Sequence, residues 1–265
     1  MFKRGLVVLA LVALPLTATL SQSNPLKTDR SDTRGSASAP RNPFNAGERL
    51  SYDVSWADFI VAAEFTIETD QRRTFDGIDG YRVTAQAKTV GLVSGLVLKV
   101  NDVYESFINA STLQPFRAEK RSRHGKKQTQ SSVTIDQDKR TVQLTGGRTL
   151  EIPGETYDFA ALIFAIRGMD LTIGKSRTLT VIEDEKLYTI KLQPEARENV
   201  TTRAGTYDTV KIATSRIKGR ENDNLYNLKI HVTNDAARIP VLITAEPSWG
   251  GVKVELTSAT GTKPK

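Results

Sequence analysis

The chain has 265 residues, of which 38% are hydrophobic and 25% charged, with a formal net charge of +7 and no cysteine. This composition can build a core and is not that of a disordered polyampholyte; the length fits one large domain or two small ones. The lack of cysteine excludes disulfides, thiol nucleophiles, thiolate metal sites and a lipid-modified N-terminal cysteine.

Residues 1–21 read as a signal peptide. Lys3 and Arg4 give a short basic start, Leu6–Leu16 is an apolar run too short to span a bilayer comfortably, and Ala18 and Ser21 are small residues suited to a signal peptidase. Cleavage between about Ala18 and Ser23 is expected, leaving a periplasmic or secreted chain that is not an integral membrane protein; the alternative is an uncleaved anchor. Lys3 and Arg4 supply two of the positive charges, so the processed chain keeps about +5. Outside the cell, that mild basic balance points to anionic lipid, lipopolysaccharide or acidic glycan as a partner rather than nucleic acid. Residues 22–43, dominated by Ser, Pro, Arg and Asp with one leucine and no aromatic, read as a flexible linker.

The folded part is expected to begin at Phe44. An N-terminal β half spans residues 44–152. In its first strand Leu50, Tyr52, Val54 and Trp56 alternate with Ser51, Asp53 and Ser55. Ala63, Phe65 and Ile67 carry the same period, as do Tyr81, Val83, Ala85 and Ala87 after turn signals at Asp76-Gly77 and Asp79-Gly80. Further strands are expected near 102–109, 115–122, 129–136, 140–145 and 148–152. Period two sustained over such a span argues for antiparallel sheet with one polar face.

Residues 153–174 form a central connector whose apolar pattern is helical. A helix is expected over about 157–167, capped by Thr156 or Asp158, with Arg167 suiting the negative end of the dipole and Gly168 ending it in the left-handed conformation. Phe159, Leu162, Ile163 and Ile166 share one face, and Ala160, Ala161, Phe164 and Ala165 cover the rest. A helix apolar nearly all round must be covered on most sides. It is expected against, or inside the concave face of, a curved sheet.

A C-terminal β half follows over 175–258, with strands near 177–183, 186–193, 206–217, 225–233, 240–246 and 250–257, and a disordered tail at 259–265. Leu228, Ile230 and Val232 face one way and Lys229, His231 and Thr233 the other; Val252, Val254 and Leu256 face the core. The halves share turn spacing, as in a degenerate repeat. The expected fold is mainly β: a strongly curved antiparallel sheet, or two tandem open half-barrels, with one short buried central helix. Both halves are expected to form one continuous domain.

Several motifs keep a fixed order. Phe44-x-x-Gly47-Glu48-x-Leu50-x-Tyr52 opens the folded part, and Leu113-x-Pro115 precedes a basic hairpin. Asp158-Phe159-Ala160-Ala161-Leu162 leads to Ile166-Arg167, Asp170-Leu171 and Gly174. Glu198-x-Val200 leads to Gly205-Thr206-Tyr207, and Thr233-Asn234-Asp235-x-x-Arg238-Ile239-Pro240 closes the series. Over roughly residues 43–257 the chain resembles the bacterial envelope family known as domain of unknown function 3108. The resemblance implies an exported β-rich protein without an established activity, and brings no catalytic residues with it.

Familiar chemistries find little support. His124, beside Gly125 in a basic hairpin, and His231, on a strand, are too few for a zinc site. H-E-x-x-H, P-loop and dinucleotide patterns are absent, and Gly91-Leu92-Val93-Ser94-Gly95 places its serine one position late for a nucleophile elbow. Glu183, Asp184 and Glu185 are acids that a carboxylate hydrolase could use, or a polar hairpin turn. No cofactor is expected.

Two binding candidates remain. Leu92, Val93, Leu96, Val97 and Leu98 lie in an apolar connection, where loops are normally polar; they are candidate contacts for an apolar ligand, or a segment packed on the core. Arg117, Lys120, Arg121, Arg123, Lys126 and Lys127 form a basic hairpin, either a site for an anionic group or a solvated arm whose charges discourage edge pairing. Together they predict a non-catalytic envelope protein that binds or carries an amphipathic, lipid- or glycolipid-like ligand. The alternatives are an assembly module docked on an envelope protein partner and, third, a carboxylate-based hydrolase.

Overall fold

The computed structural model describes residues 42–56, 60–91, 94, 99–183, 185–218, 228–245 and 251–263. The expected signal peptide, nearly all of the linker and the apolar residues Leu92, Val93, Leu96, Val97 and Leu98 lie outside them.

The N-terminal half supplies β1 (Arg49–Trp56), β2 (Ile60–Thr69), β3 (Arg73–Phe75), β4 (Ile78–Thr89), β5 (Val100–Asn109), β6 (Pro115–His124), β7 (Lys127–Asp136), β8 (Thr141–Leu144) and β9 (Thr149–Glu151). β10 (Thr156–Tyr157) leads into the helix α1 (Phe159–Gly168). The C-terminal half supplies β11 (Arg177–Glu183), β12 (Lys186–Thr202), β13 (Gly205–Lys218), β14 (Leu228–Thr233), β15 (Pro240–Ala245) and β16 (Val252–Thr260).

These strands form one large sheet, antiparallel except where β10 runs parallel to β11. Its order is β10-β11-β12-β13-β14-β15-β16-β1-β2-β4-β5-β6-β7-β8-β9, with β3 attached to β4. Apart from β3 and the break between β9 and β10, each strand thus pairs with its neighbours in sequence, and the first and last strands pair with each other, Val54 opposite Val254. The sheet is not closed, because β9 and β10 share no ladder. Its two ends are nevertheless joined by residues 152–155 alone.

Period-two alternation puts one face of nearly every strand into a common core. Leu50, Tyr52, Phe65, Ile67, Val83, Ala85, Tyr104, Ile108, Ile212, Ile230, Val232 and Leu256 all join one buried cluster, together with Ala160, Ala161, Phe164 and Ile166 of α1. Burying apolar area on this scale, at about 25 cal/mol per Å2, is what holds a disulfide-free chain together. Near the open ends a second cluster forms from Ile135, Val142, Leu144, Ile152 and Ile182, drawing on strands from both ends of the sheet.

Three local expectations need correction. The helix starts at Phe159, with Asp158 rather than Thr156 as its cap: the carboxylate accepts from the Ala160 and Ala161 amides at 2.9 and 3.2 Å. It ends at Met169 in extended backbone, without a left-handed Gly168. Arg167 stands in the last turn, as expected, and is fully buried. β12 continues to Thr202, past the limit expected from alternation, because a register shift between Pro194 and Ala196 resets its pattern.

Candidate functional site

The helix does not fill the interior. Beside it lies an apolar hollow of about 110 Å3. The ladder registers assemble most of its wall: Ile230 is opposite Ile243, Ile243 opposite Val254, Val254 opposite Val54, and Val54 opposite Ala63. A neighbouring row adds Leu228, Ala245 and Val252, while Phe65 and Ala87 face each other across β2 and β4. Phe159, Leu162, Ile163 and Ile166 of α1 close the remaining side. Where larger side chains could have filled the space, the sequence has Ala63, Ala87 and Ala245.

The hollow has no titratable lining residue, so its chemistry is solvation: it can take an apolar group and hold it away from water. It is somewhat smaller than the ~150 Å3 engineered cavity that accepts benzene. The last few carbons of an acyl chain fit that space; a whole lipid does not.

α1 is fixed firmly at its C-terminal end. The Arg167 guanidinium pairs with both Glu48 oxygens, at 2.5 and 3.0 Å, and donates to the Ala237 and Pro43 carbonyls. Both side chains are out of solvent. Arg238 adds bonds to the Arg167 and Met169 carbonyls. The Gly47-Glu48, Ile166-Arg167 and Asp235-x-x-Arg238 motifs therefore meet at one place as a structural lock. At the other end, Ser106 donates to Asp158 at 2.6 Å. Burial pushes the Asp158 carboxyl up to about 6, partly opposed by that bond and by the two helix amides.

Sidewards from Phe159 lies a second, smaller cleft of about 50 Å3, between β5–β7 and β11. Tyr104, Lys120, Ser131, Ser132, Glu183 and Asp158 are among its lining. It lies where β6 and β7, near one end of the sheet, meet β11, near the other, without a ladder.

The basic hairpin divides in two. Lys120 pairs with Glu183 at 2.6 Å and lies over the Tyr104 ring; Arg121 pairs with Glu105; Arg117 pairs with Asp76 and stacks on Phe107. Arg123, Lys126 and Lys127 are exposed and have no ion pair among the described residues. They sit beside Lys99, whose carbonyl accepts from the Gly125 amide. This is the end of the sheet where β4 leaves at Thr89 and β5 returns at Val100, and where Leu228, Ala245 and Val252 line the hollow.

The other chemical candidates are dispersed. Glu183 and Glu185 pair with different cations, Lys120 and Arg148, while Asp184 lies outside the described residues. His124 meets the buried Asp102 at 3.0 Å. His231, expected on a polar face, is instead buried and meets Glu198 of β12 at 2.6 Å. Among the described residues no group of three or more His, Cys, Asp or Glu could hold a metal ion, and no helix is long and apolar enough to cross a membrane. Sequence reasoning missed the Glu48–Arg167 lock and the role of Phe159; the motif order that carried the family resemblance was the one signal for the first.

The chain belongs to the family described as protein of unknown function (DUF3108), which matches residues 51–257. Among solved structures it is similar to a beta-barrel-like protein of domain of unknown function DUF1849 from Brucella abortus. That match has a TM-score of 0.54 at 12% identity, covering 83% of this chain and 98% of the other. A DUF1089 family protein from Pseudomonas aeruginosa matches at TM-score 0.40 and 12% identity, over 68% of this chain and 88% of the other. The Brucella likeness shows a shared fold. No curated protein matches the sequence.

Proposed function

We propose that this chain is an exported envelope protein that binds the apolar tail of an amphipathic molecule inside a sheet wound round α1. The observation that carries this reading is the hollow of about 110 Å3, walled by aliphatic and aromatic side chains from both halves and one helix face. A protein with only a structural task gains by filling such a space, since each missing contact forfeits dispersion energy. The anionic part of the ligand is placed near Lys99, Arg123, Lys126 and Lys127, at the same end of the sheet. The connection carrying Leu92, Val93, Leu96, Val97 and Leu98 joins β4 to β5 there and meets the tail. The leader at residues 1–21 delivers the chain to the periplasm or beyond, where such ligands occur.

The test is equilibrium binding of cis-parinaric acid, a linear fatty acid that fluoresces in apolar surroundings. Saturable binding is expected, and Ala87→Leu, which fills the hollow from β4, should weaken it at least tenfold while leaving the protein folded. Binding unaffected by Ala87→Leu overturns the reading.

A second reading, an assembly module docked on another envelope protein, draws support from the outer edge of β9, which no strand pairs among the described residues. Crosslinking in cells to one protein partner, with no effect of Ala87→Leu, favours it. The dispersed pairing of Glu183 and Glu185 gives a carboxylate hydrolase no such support.

A further inference from the structure

We infer that the binding site has a side entrance along the seam between the two ends of the sheet, taken tail-first by a linear single-chain amphiphile and guarded by Phe159. This rests on the proposed tail-binding role of the hollow.

Three observations converge on the seam. Backbone ladders hold every other neighbouring pair along the sheet, but β9 and β10 share none. What crosses there is side chain: Lys120 to Glu183 at 2.6 Å, Arg148 to Glu185 at 2.9 Å, and Gln137, which donates to the Thr156 carbonyl at 2.7 Å. Parting strands joined in this way breaks a few exchangeable polar contacts, each worth about 1 kcal/mol net, and loosens the small apolar cluster that Ile182 joins, where parting a ladder breaks many bonds together.

The second observation is continuity. The seam cleft and the apolar hollow share one lining residue, Phe159. Its ring lies 5.2 Å from Tyr104 on the cleft side and 6.0 Å from Phe65 on the hollow side, centroid to centroid. This one partly buried aromatic side chain thus borders both the cleft and the hollow, and a rotamer change needs no backbone motion.

The third is polarity. The cleft sets Lys120, Ser131, Ser132 and Glu183, which can hydrogen-bond a passing headgroup, beside the apolar side chains of Tyr104, Ala118, Val133 and Ile182, over which a tail can slide. A gap one ring wide admits one unbranched chain and rejects two-chain lipids, so the seam sets ligand class as well as route.

The chain has no cysteine, so a bridge can be built cleanly. In the protein carrying both Lys120→Cys and Glu183→Cys, a short bis-maleimide ties the seam shut. Stopped-flow uptake of cis-parinaric acid is compared with the same variant left unbridged. Bridging should slow filling at least tenfold with little change in equilibrium affinity, and Phe159→Ala without a bridge should speed filling. Equal rates with and without the bridge overturn the side entrance while leaving the hollow as the binding site. No probe binding by the wild-type chain overturns both.

Discussion

At the scale of single residues, the lock on α1 is the most exacting feature. A buried guanidinium is tolerable only with its partners in place, and Arg167 finds a carboxylate and two carbonyls. Arg167→Met is expected to cost about 3–5 kcal/mol in urea unfolding, because Glu48 is left charged and unpaired. Adding Glu48→Gln should recover part of the loss. A cost below about 1 kcal/mol, the range of an exposed pair, contradicts the lock. Asp158 gives a pH-dependent test. Its folded pKa, about 6, lies above the ordinary 3.8, so between those values the native state binds the extra proton. Its contribution to stability therefore falls as pH rises through that window and is flat above it. Asp158→Asn keeps a capping acceptor and removes the buried charge, so it should stabilise by up to about 3 kcal/mol at pH 7. The gain should shrink toward pH 4; Ser106 and the charged Lys120, Glu119, Glu183 and Glu185 around the cleft are present in both proteins. A gain independent of pH contradicts the assignment. In the sequence, Asp158 was legible as a cap because capping is local. Arg167 was legible only as a cation suited to the helix C-terminus, because its partner lies 119 positions away and no local pattern encodes such a meeting.

At the scale of elements, alternation located the strands well. Residues 177–183 read as a strand and form β11, and the inward positions Val83, Ala85 and Ala87 are buried. The errors fall where a local signal has two meanings. Asp79-Gly80 read as a turn, but only Asp76-Gly77 turns; Gly80 belongs to β4 for a packing reason. A Cβ there would lie 2.3 Å from the Ile108 carbonyl oxygen of β5. Gly80→Ala is thus expected to cost about 1–3 kcal/mol by forcing β4 and β5 apart, measured by denaturant unfolding; a neutral effect would show that the strands can yield. β12 was cut short for a related reason: Pro194 cannot donate to a ladder, so the pattern looks ended where it only shifts register. His231 was assigned to the polar face of β14, and alternation alone did not reveal that Glu198 of β12 would reach it.

At the scale of the whole molecule, the positions lining the hollow were readable as core-facing: Val54, Ala63, Phe65, Ala87, Ile230, Val252 and Val254 all obey the period-two rule. The hollow itself was not, because side chains that pack a core and side chains that line a space alternate identically. Only the register across six strands shows that Ala63, Ala87 and Ala245 converge where bulk is missing. The same holds for the seam, which depends on the first and last strands pairing while β9 and β10 do not. The most direct measurement of the central claim is native mass spectrometry of the protein purified gently from the cell envelope, in wild-type and Ala87→Leu forms. The expected result is a wild-type population carrying a discrete mass that dissociates as a single-chain amphiphile, lost in Ala87→Leu. A wild-type spectrum identical to the bare polypeptide, together with a crystal structure showing the hollow collapsed and filled, would contradict it.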